Sequence, residues 1–155
     1  MINELTGKLQ IKIYRETDNP MPEYKRNGDA GLDIQSNEDV RIRAFSWVTI
    51  GTGLYIVIPY GYEGQVRSRS GLAAKHGLQV LNTPGTIDSG YRDELKVILI
   101  NHNHFPYEIQ KSDRIAQLVI KPVVTAWIFE IDKSTHISES ETKNRGGGLG
   151  STGVK

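Results

Sequence analysis

Three stretches of the chain combine charged or hydroxyl side chains with the turn residues that could hold them firmly. The first is Arg67-Ser68-Arg69-Ser70-Gly71-Leu72, just ahead of a short helical pattern. Amides at a helix start, a hydroxyl and a guanidinium together suit phosphate oxygens. The second runs from Leu81 to Glu94, where two turn-rich pieces, Asn82-Thr83-Pro84-Gly85 and Ser89-Gly90, bracket Ile87 and Asp88. An aspartate anchored beside a buried isoleucine is held still, as a general base must be. Tyr91, three residues on, is placed to pack against a sugar or a base. The third is the glycine-rich end from Arg145 through Ser151 and Thr152. Such a backbone offers many N–H donors and one fixed charge, and can wrap a polyphosphate and order on binding. Each stretch also has a plainer reading: a capped helix with solvated arginines, a hairpin with a turn aspartate, a disordered tail.

The elements that must position these residues are strands. Apolar residues recur at every second position along Leu9–Ile13, Val40–Ala44, Leu54–Ile58, Leu95–Leu99 and Tyr107–Ile109, and apolar segments follow at 115–120 and 123–131. Period-two patterning broken by Gly, Pro, Asn and Asp predicts an all-β barrel or sandwich. One helix is expected over Ser70–His76, with Ser70 as N-cap and Gly77 as the C′ glycine. At about two turns it needs the sheet to hold it. Ile98–Ile100 and Leu118–Ile120 are apolar on both faces, which calls for a cover on each side, supplied in so small a barrel by a neighbouring subunit. From Lys133 the composition turns to Ser, Thr, Glu, Lys and Gly. Residues 1–132 therefore read as the barrel domain and 133–155 as a mobile arm.

Composition removes several classes of function. The 155 residues carry 19 basic and 18 acidic side chains, a net charge of +1 that gives no support to bulk nucleic-acid or membrane binding. The absence of cysteine excludes a thiol nucleophile, a disulfide framework and a Cys-ligated zinc site. No apolar run approaches the roughly 20 residues of a membrane helix, and the N-terminus has no signal-peptide pattern, so a cytoplasmic setting is expected. Gly148-Leu149-Gly150-Ser151-Thr152-Gly153 matches a dinucleotide-binding fingerprint in letters only, since no helix or downstream acid follows it. There is no P-loop motif. His102 and His104 lack a third ligand and read as a solvated turn, while His76 and His136 read as isolated surface residues. Ser70 has no elbow motif or His–Asp pair to activate it as a nucleophile.

Taken in order, Ala30-Gly31-Leu32-Asp33-Ile34, Arg69-Ser70-Gly71-Leu72-Ala73, Gly85-Thr86-Ile87-Asp88-Ser89-Gly90-Tyr91-Arg92, Arg114-Ile115-Ala116-Gln117-Leu118 and Arg145-Gly146 to Gly153 resemble the five motifs of the trimeric dUTPases. The resemblance implies a homotrimer of jelly-roll-like β-barrels (the β-clip fold) with shared active sites. It implies hydrolysis of dUTP to dUMP and pyrophosphate with Mg²⁺. By this resemblance Asp88 deprotonates the water that attacks the α-phosphorus. Tyr91 stacks under the deoxyribose and rejects UTP, and Asn82 with nearby hairpin backbone reads the uracil edge. Arg69, Ser70 and Gln117 of a neighbouring subunit bind phosphates. Arg145, Ser151 and Thr152 of the arm close over the γ-phosphate and complete the site. Asp33 holds water on a Mg²⁺ chelated mainly by the triphosphate. Gly71, Gly85, Ile87, Leu149 and Gly150 complete the substrate-contacting set.

The chain departs from the family pattern at Leu149, where an aromatic usually stacks on the uracil, in a glycine run one residue shorter, and at Asp93, where the family has glycine. Two other readings carry weight. dCTP deamination on the same fold needs a carboxylate on the strand after the Asp–Tyr segment, and Leu95-Lys96-Val97-Ile98-Leu99 has none. A non-catalytic trimeric sensor would bind dUTP and order its arm without releasing pyrophosphate.

Overall fold

The structure is a computed structural model that describes residues 2, 4 and 7–141. Its ten strands and two helices follow in the order β1 Lys12–Arg15, β2 Leu32–Gln35, β3 Val40–Ile42, β4 Trp47–Val57, β5 Tyr62–Arg67, α1 Ser70–His76, β6 Leu78–Val80, β7 Gly85–Ile87, β8 Glu94–Asn101, β9 Tyr107–Ile109, β10 Arg114–Pro122 and α2 Lys133–Glu141. Contacts group the chain into two units, Met1–Val124 and Thr125–Lys155. No helix among the described residues is long and apolar enough to cross a membrane.

The first unit is built from antiparallel sheets ordered β1-β4-β8-β6 and β2-β10-β5-β7, with β3-β9 as a two-stranded ribbon. Non-sequential neighbours in both large sheets are the mark of jelly-roll-type crossovers. Alternation decides what is inside: along β8, Leu95, Val97 and Leu99 are buried while Lys96 is exposed. The core gathers Ile34, Ile42, Ile50, Ile58, Leu78, Leu118 and their neighbours from both sheets. Each fully buried aliphatic side chain of this kind contributes about 1.5–3 kcal/mol.

Two local features set the geometry near the site. Between Gly51 and Tyr55 the β4–β8 register shifts, and Gly53 there takes φ +65°. A Cβ on Gly53 would lie 2.8 Å from the Glu16 carbonyl, so both conformation and space require glycine. The carboxylate of Glu94 accepts the Gly53 N–H at 2.8 Å and so ties this bulge to the start of β8. At the end of α1, Gly77 adopts φ 59° and returns its N–H to Ala73 at 3.1 Å, as expected of a C′ glycine.

Several expectations need correction. Arg69, not Ser70, occupies the N-cap of α1, in extended conformation and without a side-chain cap bond; Ser70 is the first helical residue and is exposed. Strand β3 ends at Ile42 before reaching Ala44, and β1 begins at Lys12, with Leu9 only bridged to Ile2. No strand spans 123–131: the pairing of β10 with β5 ends at Pro122 with one further bond, from the Val123 N–H to the Gly61 carbonyl at 2.9 Å, and Val124, Trp127 and Ile128 are 93%, 87% and 88% exposed. Nor is everything after Lys133 without structure. Asp132 caps α2, its Oδ1 accepting from Thr135 N at 2.8 Å and Ser134 Oγ at 2.7 Å. Composition underrated this helix because one good N-cap satisfies otherwise orphaned amides. Residues 142–155, with the arm positions Arg145, Leu149, Gly150, Ser151 and Thr152, lie outside the described residues.

Candidate active site

Residues expected to bind phosphate come together on one face of the β2-β10-β5-β7 sheet. In register, Gln117 of β10 pairs with Asp33 of β2 on one side and Arg67 of β5 on the other. Leu32, Ile34, Val66 and Leu118 on the same strands are buried, so Asp33, Gln117 and Arg67 face outward as a row. Two guanidiniums converge on Asp33: Arg69 Nε donates to Oδ1 at 3.0 Å and Arg114 Nη1 to Oδ2 at 3.3 Å. Arg69 Nη1 also donates to the Arg114 carbonyl at 2.9 Å, which braces the pair. The side chains of Asp33 and Arg69 are about a quarter exposed, so their interaction is partly sheltered from solvent.

Gln117 is fixed from two sides. Its Nε2 donates to the Ser68 carbonyl at 2.9 Å, and its side chain lies over Gly31, where a Cβ would stand 2.5 Å from Oε1. Ser68 Oγ accepts the Val80 N–H at 2.9 Å, and so links the loop before α1 to the hairpin that follows β6. An open cleft of about 690 Å³ runs along this region, lined by Arg67, Ser68, Gln117, Gln79, Thr83 and Pro84 among others. The sequence marks Arg69, Ser70 and Gln117 singly and holds Arg67 and Ser68 only as members of the anion-binding stretch, with no separate role for Arg114. Arg114 stood inside a recognised motif, and the alternation of β10 with β2 was the signal that could have paired it with Asp33.

The expected base-and-sugar residues form a second group, on and after β7. Gly85 pairs with Val66 and Ile87 with Gly64. Gly85 is buried under Asn82, whose Nδ2 would lie 3.0 Å from a Cβ there, so Asn82 is folded across the hairpin with Thr83–Pro84 as a cis peptide at its tip. Ile87 packs against the core and anchors Asp88, which is exposed. The turn behind it is closed by Arg92, whose Nη1 donates to the carbonyls of Ser89 at 2.8 Å and Tyr91 at 2.7 Å. Tyr91 is half-buried and donates to the Glu94 carbonyl at 2.7 Å. Burial, then the nearby Asp93 and Glu94 carboxylates, push its phenol above the ordinary value, so it stays neutral with its ring direction set by that bond. The Glu94 carboxylate meanwhile is turned to Gly53 and Lys96.

Sheet geometry keeps the two groups apart within one chain. Asp33 and Asp88 are separated by three strand spacings across the sheet and about four residues along it, roughly 20 Å in all. Outside these groups, His102 is exposed with Nε2 2.9 Å from Gln79 Oε1, and His104 stacks edge-on against Phe45. His76 is not isolated as expected: it is half-buried, its ring 5.0 Å from that of Tyr107.

For a divalent cation the donor set is informative. Among the described residues no group of three or more His, Asp or Glu side chains gathers as a metal cage. Asp33 offers a single carboxylate, and each of its oxygens carries one arginine bond. Each oxygen keeps an acceptor position, which fits a water of a hydrated Mg²⁺ rather than direct ligation.

Comparison with known proteins identifies the family and the fold. The sequence model of the dUTPase family matches residues 17–153. The deoxyuridine 5'-triphosphate nucleotidohydrolase of Nautilia profundicola is 51% identical over 146 residues, covering 94% of this chain and 99% of that protein. That of Clostridium acetobutylicum is 49% identical over 136 residues, 87% of this chain and 90% of that protein. Among solved structures, the dUTPase of Staphylococcus bacteriophage 80alpha superposes with a TM-score of 0.75 at 30% identity, covering 80% of this chain and 97% of that one. A mutant dUTPase from phage phi11 of S. aureus, described with a structural Mg(II) ion, gives 0.74 at 28% identity, covering 81% of this chain and 98% of that one.

Proposed function

The chain belongs to the dUTPase family, and from that premise we propose how it hydrolyses dUTP to dUMP and pyrophosphate. One observation carries the reading: Asp88 sits on a stapled turn, exposed and with no protein partner among the described residues, while guanidiniums gather elsewhere on the same sheet. A carboxylate held still and left unpaired is free to accept a proton from water. Asp88 takes that proton as the water oxygen bonds to the α-phosphorus, the bridging oxygen leaves with its electron pair, and pyrophosphate departs. Asn82 and the backbone around Gly85 and Ile87 receive the uracil. The Tyr91 ring, pinned through its hydroxyl, lies against the sugar and leaves no room for a 2′-hydroxyl, which rejects UTP.

Phosphates belong to Arg69, Ser70, Gly71 and Gln117. Asp33 keeps Arg69 aimed through an ion pair, and Ser70, freed from capping, presents its hydroxyl. The family is magnesium-dependent; Asp33 would accept from a water in the hydration shell of the ion, which would neutralise phosphate charge when bound. In the arm, Arg145, Leu149, Gly150, Ser151 and Thr152 would close over the substrate.

The roughly 20 Å between Asp33 and Asp88 exceeds the span of one triphosphate. That backbone separation supports a site shared between neighbouring copies, with the two groups of one chain serving different nucleotides. A homotrimer is supported by the apolar side chains left open: Trp47 and Leu81 are 62% and 43% exposed beside the half-buried Ile98 and Ile100, and in the second unit Trp127 and Ile128 are open. The test is incubation with Mg²⁺ and, separately, dUTP, UTP, dCTP and dTTP, following pyrophosphate. Release from dUTP alone is expected; release from UTP at a comparable rate would remove the role given to Tyr91. Binding of dUTP without release would leave the sensor reading in its place.

A further inference from the structure

Arg67 stands outside the Arg69-Ser70-Gly71 motif, yet it occupies the same outward row as Asp33 and Gln117. Directly paired residues on antiparallel strands point to one face, so Arg67 and Gln117 are neighbours, and both line the open cleft. The Arg67 guanidinium has no carboxylate partner among the described residues. Its Nε and Nη2 both donate to Gln65 Oε1, and Gln65 Nε2 donates to Glu63 Oε1 at 2.7 Å. A neutral amide orients a guanidinium without cancelling its charge. Five N–H donors are available on an arginine, and the Gln65 contact leaves the Nη1 pair open.

The charge count at this face is therefore unbalanced. Arg67, Arg69 and Arg114 present three cations; Asp33 answers Arg69 and Arg114, and Glu63 reaches Arg67 only through Gln65. One neutral amide stands between the Glu63 carboxylate and the Arg67 guanidinium, so Glu63 offsets that charge only in part and the face stays net positive. Half-buried and lining the cleft with Gln117, Arg67 brings surplus positive charge there, which is suited to a polyanion.

We propose that Arg67 is a further substrate contact, meeting the pyrophosphate half of dUTP beside Arg69 and Gln117. The inference rests on the activity proposed above and adds a residue to it. As the bond from the α-phosphorus to the bridging oxygen breaks, negative charge builds on the leaving pyrophosphate, and a fixed guanidinium there stabilises it without moving. The Glu63–Gln65 ladder acts as its brace.

The test compares full-length wild type, Arg67→Gln and Arg67→Lys in dUTP turnover, inhibition by inorganic pyrophosphate, dUMP binding and thermal melting. Arg67→Gln is expected to raise KM for dUTP and weaken pyrophosphate inhibition about tenfold, while dUMP affinity and melting stay near wild type. Arg67→Lys keeps the charge but not the fork and falls between, and it carries the test if the glutamine variant does not fold. Unchanged KM and pyrophosphate inhibition in an active Arg67→Gln enzyme would overturn the contact. So would an equal loss of dUMP and pyrophosphate affinity, which marks a structural role. A wild type inert towards dUTP would instead overturn the activity itself.

Discussion

Gly31→Ala tests whether the phosphate side of the site is built as described. The added methyl would stand 2.5 Å from Gln117 Oε1, 3.3 Å from its Cδ and 3.4 Å from its Cβ. The first distance cannot persist, so the Gln117 side chain must swing away. Doing so breaks the 2.9 Å bond from Gln117 Nε2 to the Ser68 carbonyl. A part-buried hydrogen bond of this kind is worth about 0.5–1.5 kcal/mol, and the displaced carboxamide adds off-rotamer strain of about 1 kcal/mol. Against this, alanine restricts the unfolded chain and returns about 0.4–1 kcal/mol. The net cost comes to about 1 kcal/mol, a fall of about 2–4 °C in Tm for a chain of this size. The decisive comparison is the background. In Gln117→Ala the obstructing atoms are gone, and Gly31→Ala should become neutral or slightly stabilising. Four proteins are melted: wild type, each single variant and the double variant. An equal loss from Gly31→Ala in both backgrounds would refute the packing argument. In the turnover assay both single variants should raise KM for dUTP, because each removes Gln117 from its position.

Asp88→Asn should lower kcat by about 10²–10⁴-fold, the usual worth of a general base, while calorimetry still detects dUTP binding; a parallel loss of binding counts against the catalytic assignment. Tyr91→Phe removes the bond to the Glu94 carbonyl and should destabilise by about 1 kcal/mol with dUTP still preferred, whereas Tyr91→Ala should admit UTP, both read as relative kcat/KM. Asp33→Asn leaves Arg69 without its charged partner and should raise KM for dUTP, with a coupling between Asp33→Asn and Arg69→Met of about 1 kcal/mol in a double-mutant cycle; strict additivity would show that the pair does not act as a unit. The Asp132 carboxyl is held below its ordinary value of 3.8, first by the Thr135 amide. Because the folded value is the depressed one, the cap of α2 is fully present above the ordinary value and is lost as pH falls through the lower one. Helix signal from α2 should follow that course, and Asp132→Ala should remove it at neutral pH without shifting the melting of the barrel.

How far a linear reading reached depended on the range of the interactions involved. Period-two alternation located β8, β9 and the end of β4, because which face of a strand is buried depends only on the strand's own side-chain order, while an apolar run marked β10. Turn chemistry located the Asn82–Asp88 hairpin and the Gly77 terminus of α1 for the same reason: φ preferences belong to single residues. Five spaced motifs marked Asp33, Arg69, Asp88, Tyr91 and Gln117 before any pairing was known. Strand register is another matter. That Gln117 lies between Asp33 and Arg67, that Arg114 shares the Asp33 carboxylate, and that Gly31 exists to admit the Gln117 side chain all follow from contacts across dozens of residues. The apolar run at 123–131 looked like a strand because its composition suits one, but a strand also needs an edge to pair with, and composition is silent about edges. Local preferences therefore determined which residues could do chemistry, while only the pairing of distant strands decided which of them stand side by side and which stand strands apart on the sheet.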